Sequence, residues 1–219
     1  MRVLLALCLL LASCATTNVE RPVSFFDVPG TGFTIPARGE DGWSMERLLL
    51  EYGRATNQRF LFDQETSAVL NQTKVPLEKE LVVLPAAVHS VVETLLVEVG
   101  YTLTVKRAAE PRLVKVEHGQ RGGLLRVPQV NHADLEPWRD RPAYVVGTFI
   151  MLDSFDTIAL ANSLRATLSG EGLQTIAPLG TSGALHVQGP GPWVCEVTEM
   201  LLDVDEAARA KASHSDPEE

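Results

Sequence analysis

Two stretches of the chain alternate between strand-like and helix-like spacing of apolar residues, and this alternation restricts the fold to small layered modules. In residues 30–118 the spacing gives the order β-α-β-β-α-β-β, and in residues 143–206 it gives β-α-β-β-α. A module of this kind buries the apolar faces of its helices against one face of a sheet. The sequence therefore predicts an α+β protein of two modules, each a small mixed β-sheet with two helices packed on it.

The first module has clear helix boundaries. Ser44 is a candidate N-cap, and the residues after it repeat at helical spacing, which predicts a helix over 44–56. A second helix is expected to begin at Pro85 and to end at Gly100. Strands are expected at 32–36, 59–63 and 73–84, and residues 101–105 and 112–116 alternate at period two, which predicts a hairpin.

The second module begins with a strand over 144–152, followed by Asp153 and Asp156, which we interpret as helix caps. The last helix is predicted from an apolar stripe of Val194, Val197, Leu201 and Val204. Asp203 and Asp205 are expected to be solvated at its end. Residues 119–142 contain glycine, proline and charges and are predicted to be a linker, whereas 207–219 are predicted to be a polar tail beyond the helix.

The N-terminus has the layout of a secretory signal peptide. Arg2 precedes an apolar run over residues 3–12, which is shorter than the roughly 20 residues that a membrane-spanning helix needs. The run ends in Leu11-Ala12-Ser13-Cys14, which resembles the lipobox of bacterial lipoproteins. The alternative is a plain signal peptide with an incidental cysteine.

The lipoprotein resemblance implies that residues 1–13 are removed and that Cys14 carries acyl chains, with residues 14–29 as a lipidated tether. Ala15, rather than aspartate, follows the cysteine, and by the enteric sorting rule this implies the outer membrane, with the protein facing the periplasm. Stable anchoring takes more than one acyl chain, which the usual modification of this class supplies.

The net charge excludes one class of partner. The chain carries a formal charge of −9, and loss of Arg2 would make it more negative. Binding to nucleic-acid phosphates or to anionic lipid headgroups uses clusters of lysine and arginine. We therefore expect no nucleic-acid partner, and we expect membrane contact through the lipid on Cys14 alone.

No catalytic, cofactor or metal signature is found in the sequence. The five histidines show no pair at metal-ligand spacing; His89 is expected on the exposed side of its helix, and His186 on the strand face opposite Leu185 and Val187. Cys195 is interpreted as a small, partly buried apolar residue. We therefore predict that the chain is not an enzyme and holds no cofactor or metal.

The three tryptophans are the candidate interface residues. Trp43, Trp138 and Trp193 each lie beside a linker or a helix start, where the alternatives are local packing and an anchor at an interface. Trp138, in the linker, is the best candidate for a contact between modules or with a partner.

The order of elements resembles the periplasmic N-domains of secretins, the outer-membrane pore proteins of type II and type III secretion and of type IV pili. In the second module the matching features are the strand over 144–152 with Asp153, the strand ending at Gly189, and the closing Leu202-Asp203 pair. The first module, with 59–63 and the Gly100-Tyr-Thr-Leu segment, resembles the preceding secretin domain, which also serves as the signalling domain of TonB-dependent receptors. Secretins carry a further β-barrel gate, and the sequence to Glu219 has none, so we expect this chain not to be the pore itself.

The resemblance implies a non-enzymatic, lipid-anchored component that makes protein–protein contacts in a secretin-type secretion or pilus machine. Its partners would be the secretin or inner-membrane components, and a homo-oligomer is a further possibility. The alternative is an envelope ligand-binding or signalling module related to the TonB-receptor domain. A concave apolar pocket would favour that alternative.

Overall fold

The computed structural model describes residues 29–39, 42–109, 111–119, 127–168, 173–180 and 183–214. The first module contains β1 (Phe33–Ile35), α1 (Met45–Thr56), β2 (Gln58–Leu61), α2 (Gln64–Gln72), β3 (Leu81–Val83), α3 (Val88–Glu98), β4 (Tyr101–Arg107) and β5 (Arg112–His118). The second contains β6 (Val145–Met151), α4 (Thr157–Leu168), β7 (Thr175–Pro178), β8 (Ala184–Pro190) and α5 (Gly191–His214). The predicted α+β fold of small modules is confirmed.

The first module is built on two sheets. The larger one has the order β2-β5-β4, with β2 parallel to β5 and β4 antiparallel to it, so it is mixed as predicted. Strands β1 and β3 form a separate antiparallel pair. The helices bury one apolar core against these strands, which includes Leu48, Leu49, Tyr52, Val92, Leu96, Leu103 and Val114.

Helix α1 begins and ends as the sequence predicts. The Ser44 side chain accepts a hydrogen bond from the Arg47 N–H at 3.2 Å, which satisfies one of the free donors of the first turn. The helix ends at Asn57, whose φ of 53° turns the chain directly into β2. Asparagine is one of the few residues other than glycine that adopts this left-handed conformation readily.

Helix α2 was not predicted, so the first module has three helices rather than two. The Asp63 side chain caps it, accepting from the Thr66 N–H at 2.8 Å. The helix buries only Thr66 and Leu70, because it lies on the edge of the core. The extended stretch predicted over 73–84 is a strand only at β3; earlier, Lys74 makes a single bridge to Ser44.

The second module follows the predicted β-α-β-β-α order. Its sheet has the order β6-β8-β7, and both pairings are antiparallel, whereas a mixed sheet was predicted. Helix α4 starts where Asp156 accepts from the Ile158 and Ala159 N–H groups, as expected for a cap. The core includes Val146, Ile150, Leu185, Val187, Val194 and the buried Cys195, whose thiol lies 3.4 Å from the Leu135 carbonyl oxygen.

Helix α5 differs from the prediction at its C-terminal half. It continues to His214, through residues predicted to be a polar tail. Asp205 takes the buried position after Leu201, whereas Val204 is exposed. The Asp205 carboxylate accepts from the Ser154 N–H at 2.8 Å and pairs with Arg209 at 3.0 Å, so it fixes the turn between β6 and α4 rather than being solvated.

Replacing Asp205 by asparagine should lower the free energy of unfolding by about 1–3 kcal/mol, because buried donors lose a charged acceptor. Burial alone would raise the pKa of Asp205, but the Ser154 and Asp153 N–H donors and Arg209 outweigh it and hold the pKa below the usual range of an aspartate. A carboxyl whose folded-state pKa is lowered stabilises the protein above its unfolded-state pKa, and the effect is lost as pH falls through the folded-state pKa.

Urea unfolding at a series of pH values checks this prediction. The difference between wild type and D205N should be constant above about pH 5 and should shrink as the pH falls below the ordinary aspartate pKa. Asp203 lies on the exposed side of the same helix, so D203N is the matched control. A difference that persists unchanged at low pH would mean that the charge of Asp205 does not stabilise the turn.

The segment over 127–144, hereafter the connector, is packed against both modules. Its residues 127–142 were predicted to be part of a linker, and 143–144 to open the second module. Two short 3-10 turns, His132–Asp134 and Glu136–Trp138, shape it. Leu135 belongs to the core of the second module, while Ala143 and Tyr144 belong to the core of the first. Within the described ranges, no helix is both long and apolar enough to cross a bilayer.

Candidate functional site

A buried polar cluster joins the connector to the first module. Glu93 of α3 and Arg141 of the connector are both almost completely buried, and the Arg141 Nε donates to the Glu93 carboxylate at 2.8 Å. The Tyr52 hydroxyl of α1 donates to the same carboxylate at 2.8 Å and accepts from the Arg141 guanidinium at 3.0 Å. One carboxylate therefore binds two groups from parts of the chain that are far apart in sequence.

Burial and the contacts within this cluster shift the pKa values of all three groups. Burial raises the pKa of Glu93, and Arg141 offsets part of that rise through its charge and its hydrogen bonds. Burial, followed by the Glu93 charge, raises the pKa of Tyr52 well above 10. Burial works against the Arg141 cation, but Tyr52 and Glu93 more than compensate, so its pKa is raised. The tyrosine therefore stays neutral and the arginine stays charged.

The connector continues the first sheet beyond this cluster. The Leu103 N–H of β4 donates to the Ala143 carbonyl oxygen at 2.6 Å, and Leu103 and Tyr144 form a parallel bridge. The Tyr144 hydroxyl donates to the Gln58 side chain at 2.9 Å. The outer edge of β4 is thus covered by the residues that lead into β6.

Trp138 lies where the two modules meet. Its ring packs against both apolar cores and contacts Tyr144 edge-on, at 6.0 Å between ring centroids. Gly191, the first residue of α5, approaches the same turn so closely that a Cβ there would lie 2.3 Å from the Trp138 carbonyl oxygen. The structure therefore places Trp138 in a contact between modules; a role in binding a partner stays a prediction.

The other two tryptophans lie away from the junction. Trp43 packs on the first core, where it stacks with Phe33 at 6.0 Å and lies beneath the Arg47 guanidinium. Trp193 packs on the second core beside Gly189. Both are partly buried, so local packing accounts for their positions, and their role as interface residues also stays a prediction.

Two of the histidines pack against aromatic side chains. His89 was expected to be exposed, but it is turned towards the buried cluster, with its Nδ1 2.9 Å from the Tyr52 hydroxyl oxygen. His186 lies on the face opposite Leu185 and Val187, as predicted, and stacks on Phe149. In the part of the chain that the structure describes, no group of three histidine, cysteine or acidic residues is arranged to hold a metal ion.

Both outer edges of the second sheet are covered. The Gly147 N–H of β6 donates to Pro128 of the connector at 3.0 Å, and Gly147 accepts from Val130 at 2.9 Å. On the other side, the Arg165 Nε of α4 donates to the Ile176 carbonyl oxygen of β7 at 3.0 Å. Such coverage prevents an exposed strand from pairing with another chain.

The edge of β2 is different, because it borders an open groove of about 530 Å³. The groove runs between α1 and β2, and its exposed apolar side chains are Leu50 and Leu61. A second groove of about 510 Å³ lies between α2 and the β4–β5 hairpin, beside Tyr101 and His118. Both grooves are open to solvent, so neither is the concave apolar pocket that would favour the ligand-binding alternative.

Sequence reasoning identified Trp138 but missed Glu93, Arg141 and the β2 edge. The available signal for Glu93 was its helical spacing, since it lies three residues before the buried Leu96. The predicted lipidation site, Cys14, lies outside the described residues and stays a prediction.

No protein-family model matches the sequence, and no curated protein matches it. Solved structures do match in fold. A chain in the type II secretion system outer membrane complex of Klebsiella pneumoniae, containing PulD, PulS and the PulC HR domain, matches with a TM-score of 0.53 and 13% identity. That likeness covers 75% of this chain but 26% of the other, so this chain spans about a quarter of its length.

Two further structures match over most of this chain with lower scores. The N-terminal domain of the secretin XcpQ from Pseudomonas aeruginosa matches over 80% of this chain and 66% of the other, with a TM-score of 0.26 and 10% identity. The GspC–GspD complex of enterotoxigenic Escherichia coli matches over 80% and 99%, with a TM-score of 0.30 and 13% identity. The predicted resemblance to secretin-type N-domains is confirmed at the level of the fold.

Proposed function

We propose that this chain is a non-enzymatic, lipid-anchored component that makes protein–protein contacts within a secretin-type secretion machine. Cys14 would hold it at the inner face of the outer membrane, with both modules in the periplasm. The observation that carries the proposal is the two-module fold, which is similar to that of a chain in the Klebsiella type II secretion complex. The signal-peptide layout of residues 1–14 supports the same compartment.

The enclosed positions of the buried polar residues support a role in protein–protein contacts rather than in catalysis. Glu93, Tyr52 and Arg141 bond to one another inside the fold, and Asp205 fixes a turn. Catalytic acids and bases need access to a substrate, whereas these groups are enclosed by the fold. The surface carries a groove with an exposed strand beside it and a set of exposed apolar side chains.

Crosslinking in intact cells tests the proposal. Cells producing the protein would be crosslinked and extracted with detergent, and the protein purified and analysed by mass spectrometry. We expect recovery of a secretin or of its inner-membrane partners, and crosslinks between copies if the protein forms an oligomer. The matched control is C14S, which should lose this enrichment because it is no longer held at the membrane.

Failure to recover any secretion or pilus component, with the protein abundant and acylated, would overturn the proposal. Intact secretion and pilus assembly after deletion of the gene would count against it as well.

A further inference from the structure

We propose that the outer edge of β2 binds an extended segment of a partner protein in which acidic and apolar side chains alternate. The inference rests on the proposed function, because the segment would belong to a protein that this chain contacts. It names the surface used and the chemistry of the partner.

The two three-stranded sheets have four outer edges, and on three of them another part of the chain bonds to the backbone at one position. Residues 143–144 cover β4, residues 128–130 cover β6, and the Arg165 side chain occupies the edge of β7, which also ends in Pro178. Proline removes a backbone donor and blocks further pairing. Within the described ranges, β2 pairs along one side only, with β5.

The open edge of β2 is accompanied by apolar side chains that would cover an added strand. Leu50 of α1 is 55% exposed and Leu61 of β2 is 44% exposed, and both line the groove of about 530 Å³. Phe60 instead faces inward, where it stacks on Tyr52 at 5.4 Å. The groove thus combines an unpaired strand edge with a partly apolar floor, the two features used when an extended peptide adds a strand to a sheet.

The charges beside this edge select the partner. Arg54 and Arg59 line the groove and are exposed, and Arg54 pairs with Glu51 of the same helix at 2.6 Å. Because Glu51 offsets the charge of Arg54, Arg59 gives this rim one net positive charge, although the whole chain carries a net charge of −9. Pairing with a second copy would bring two cationic rims together, which is unfavourable. An acidic segment would instead be attracted.

The alternation of side chains along a strand sets the pattern of the segment. In the register of β2 with β5, Arg59 lies beside Leu113, and Leu61 lies on the same face two residues further on. An added strand would present alternate side chains to this face and to α1. Main-chain hydrogen bonds would supply affinity, and the contacts with Leu50, Leu61 and the arginines would supply selectivity.

The test uses the full lipidated protein in detergent and a short, end-capped peptide that alternates valine and glutamate. Binding would be measured by fluorescence anisotropy, and its location by amide hydrogen exchange. We expect saturable binding with slower exchange at residues 58–61. R59E should weaken binding about tenfold or more, because attraction becomes repulsion. The matched control is K79E, which makes the same charge change in the loop between α2 and β3.

Two peptide controls separate the contributions to binding. A version with lysine in place of glutamate should not bind, and a version with alternate N-methylated amides should not bind because it cannot form the ladder. Three results would overturn the inference: an equal loss of peptide affinity in R59E and K79E, binding of the lysine peptide as tight as that of the glutamate peptide, or slower amide exchange at residues other than 58–61. Protection of 58–61 that depends on protein concentration alone would show that a second copy is the occupant, which would also overturn it.

The outcomes distinguish this inference from the proposed function. If the peptide fails to bind while crosslinking in cells still recovers secretion components, the β2 inference fails and the proposed function stands. If the peptide binds as expected but no secretion component is recovered, the edge binds acidic extended segments in another setting and the proposed function fails.

Discussion

Replacing Glu93 by alanine is expected to lower the free energy of unfolding by about 3–5 kcal/mol. The substitution leaves the Arg141 guanidinium buried without a carboxylate, and it removes the acceptor of the Tyr52 hydroxyl. A buried, uncompensated charge costs far more than the loss of an exposed ion pair. Urea unfolding followed by tryptophan fluorescence measures the loss, and Trp138 lies beside the cluster.

Two variants control for the interpretation. The double variant E93M/R141M should recover most of the lost stability, because replacing both charges by apolar side chains leaves neither one unpaired. E199A removes an exposed partner of Arg139 and should cost at most about 1 kcal/mol. If E93A cost no more than E199A, the Glu93–Arg141 pair would not stabilise the docking of the connector on the first module.

Replacing Cys14 by serine is expected to abolish acylation and to release the protein from the membrane fraction. Incorporation of a palmitate analogue and fractionation of the membranes on a density gradient measure the two effects. Removal of all acyl chains eliminates the hydrophobic anchor, whose strength is about 0.8 kcal/mol for each buried methylene group. The wild-type protein should be found with the outer membrane.

Cys195 provides the control within the same chain. Its thiol is buried in the second core, and burial raises its pKa to about 11, so C195S should leave acylation unchanged. Equal labelling of C14S and wild type would contradict the lipobox interpretation. Labelled protein found in the inner membrane would contradict only the sorting expected from Ala15.

Local signals in the sequence predicted the elements that depend on neighbouring residues. Ser44 caps α1, Gly100 takes the left-handed conformation after α3, and the period-two segments form the β4–β5 hairpin. Helix α2 escaped prediction because one of its two buried residues is Thr66, so its core-facing stripe is too short to show a period. Asp63, in the N-cap position before it, was the remaining signal.

Contacts between distant residues could not be predicted in this way. The spacing of Glu93 indicates the buried side of its helix, but the sequence does not show its partner, Arg141, which is 48 residues away. Asp205 likewise binds Ser154, 51 residues away. The connector reads as a linker because its prolines and charges are typical of one, although Trp138 and Tyr144 pack it into the cores. In each case the contacting residue lies on another element, so the interaction that buries the group leaves no pattern in the neighbouring sequence.

The docked connector gives the protein a mechanical property. Arg141 and Ala143 are bound inside the first module, and two residues after Ala143 the chain enters β6 of the second. With Trp138 packed against both cores, these contacts oppose rotation of one module relative to the other. We expect a force applied to the first module to be transmitted through them to α5, so that the two modules turn together.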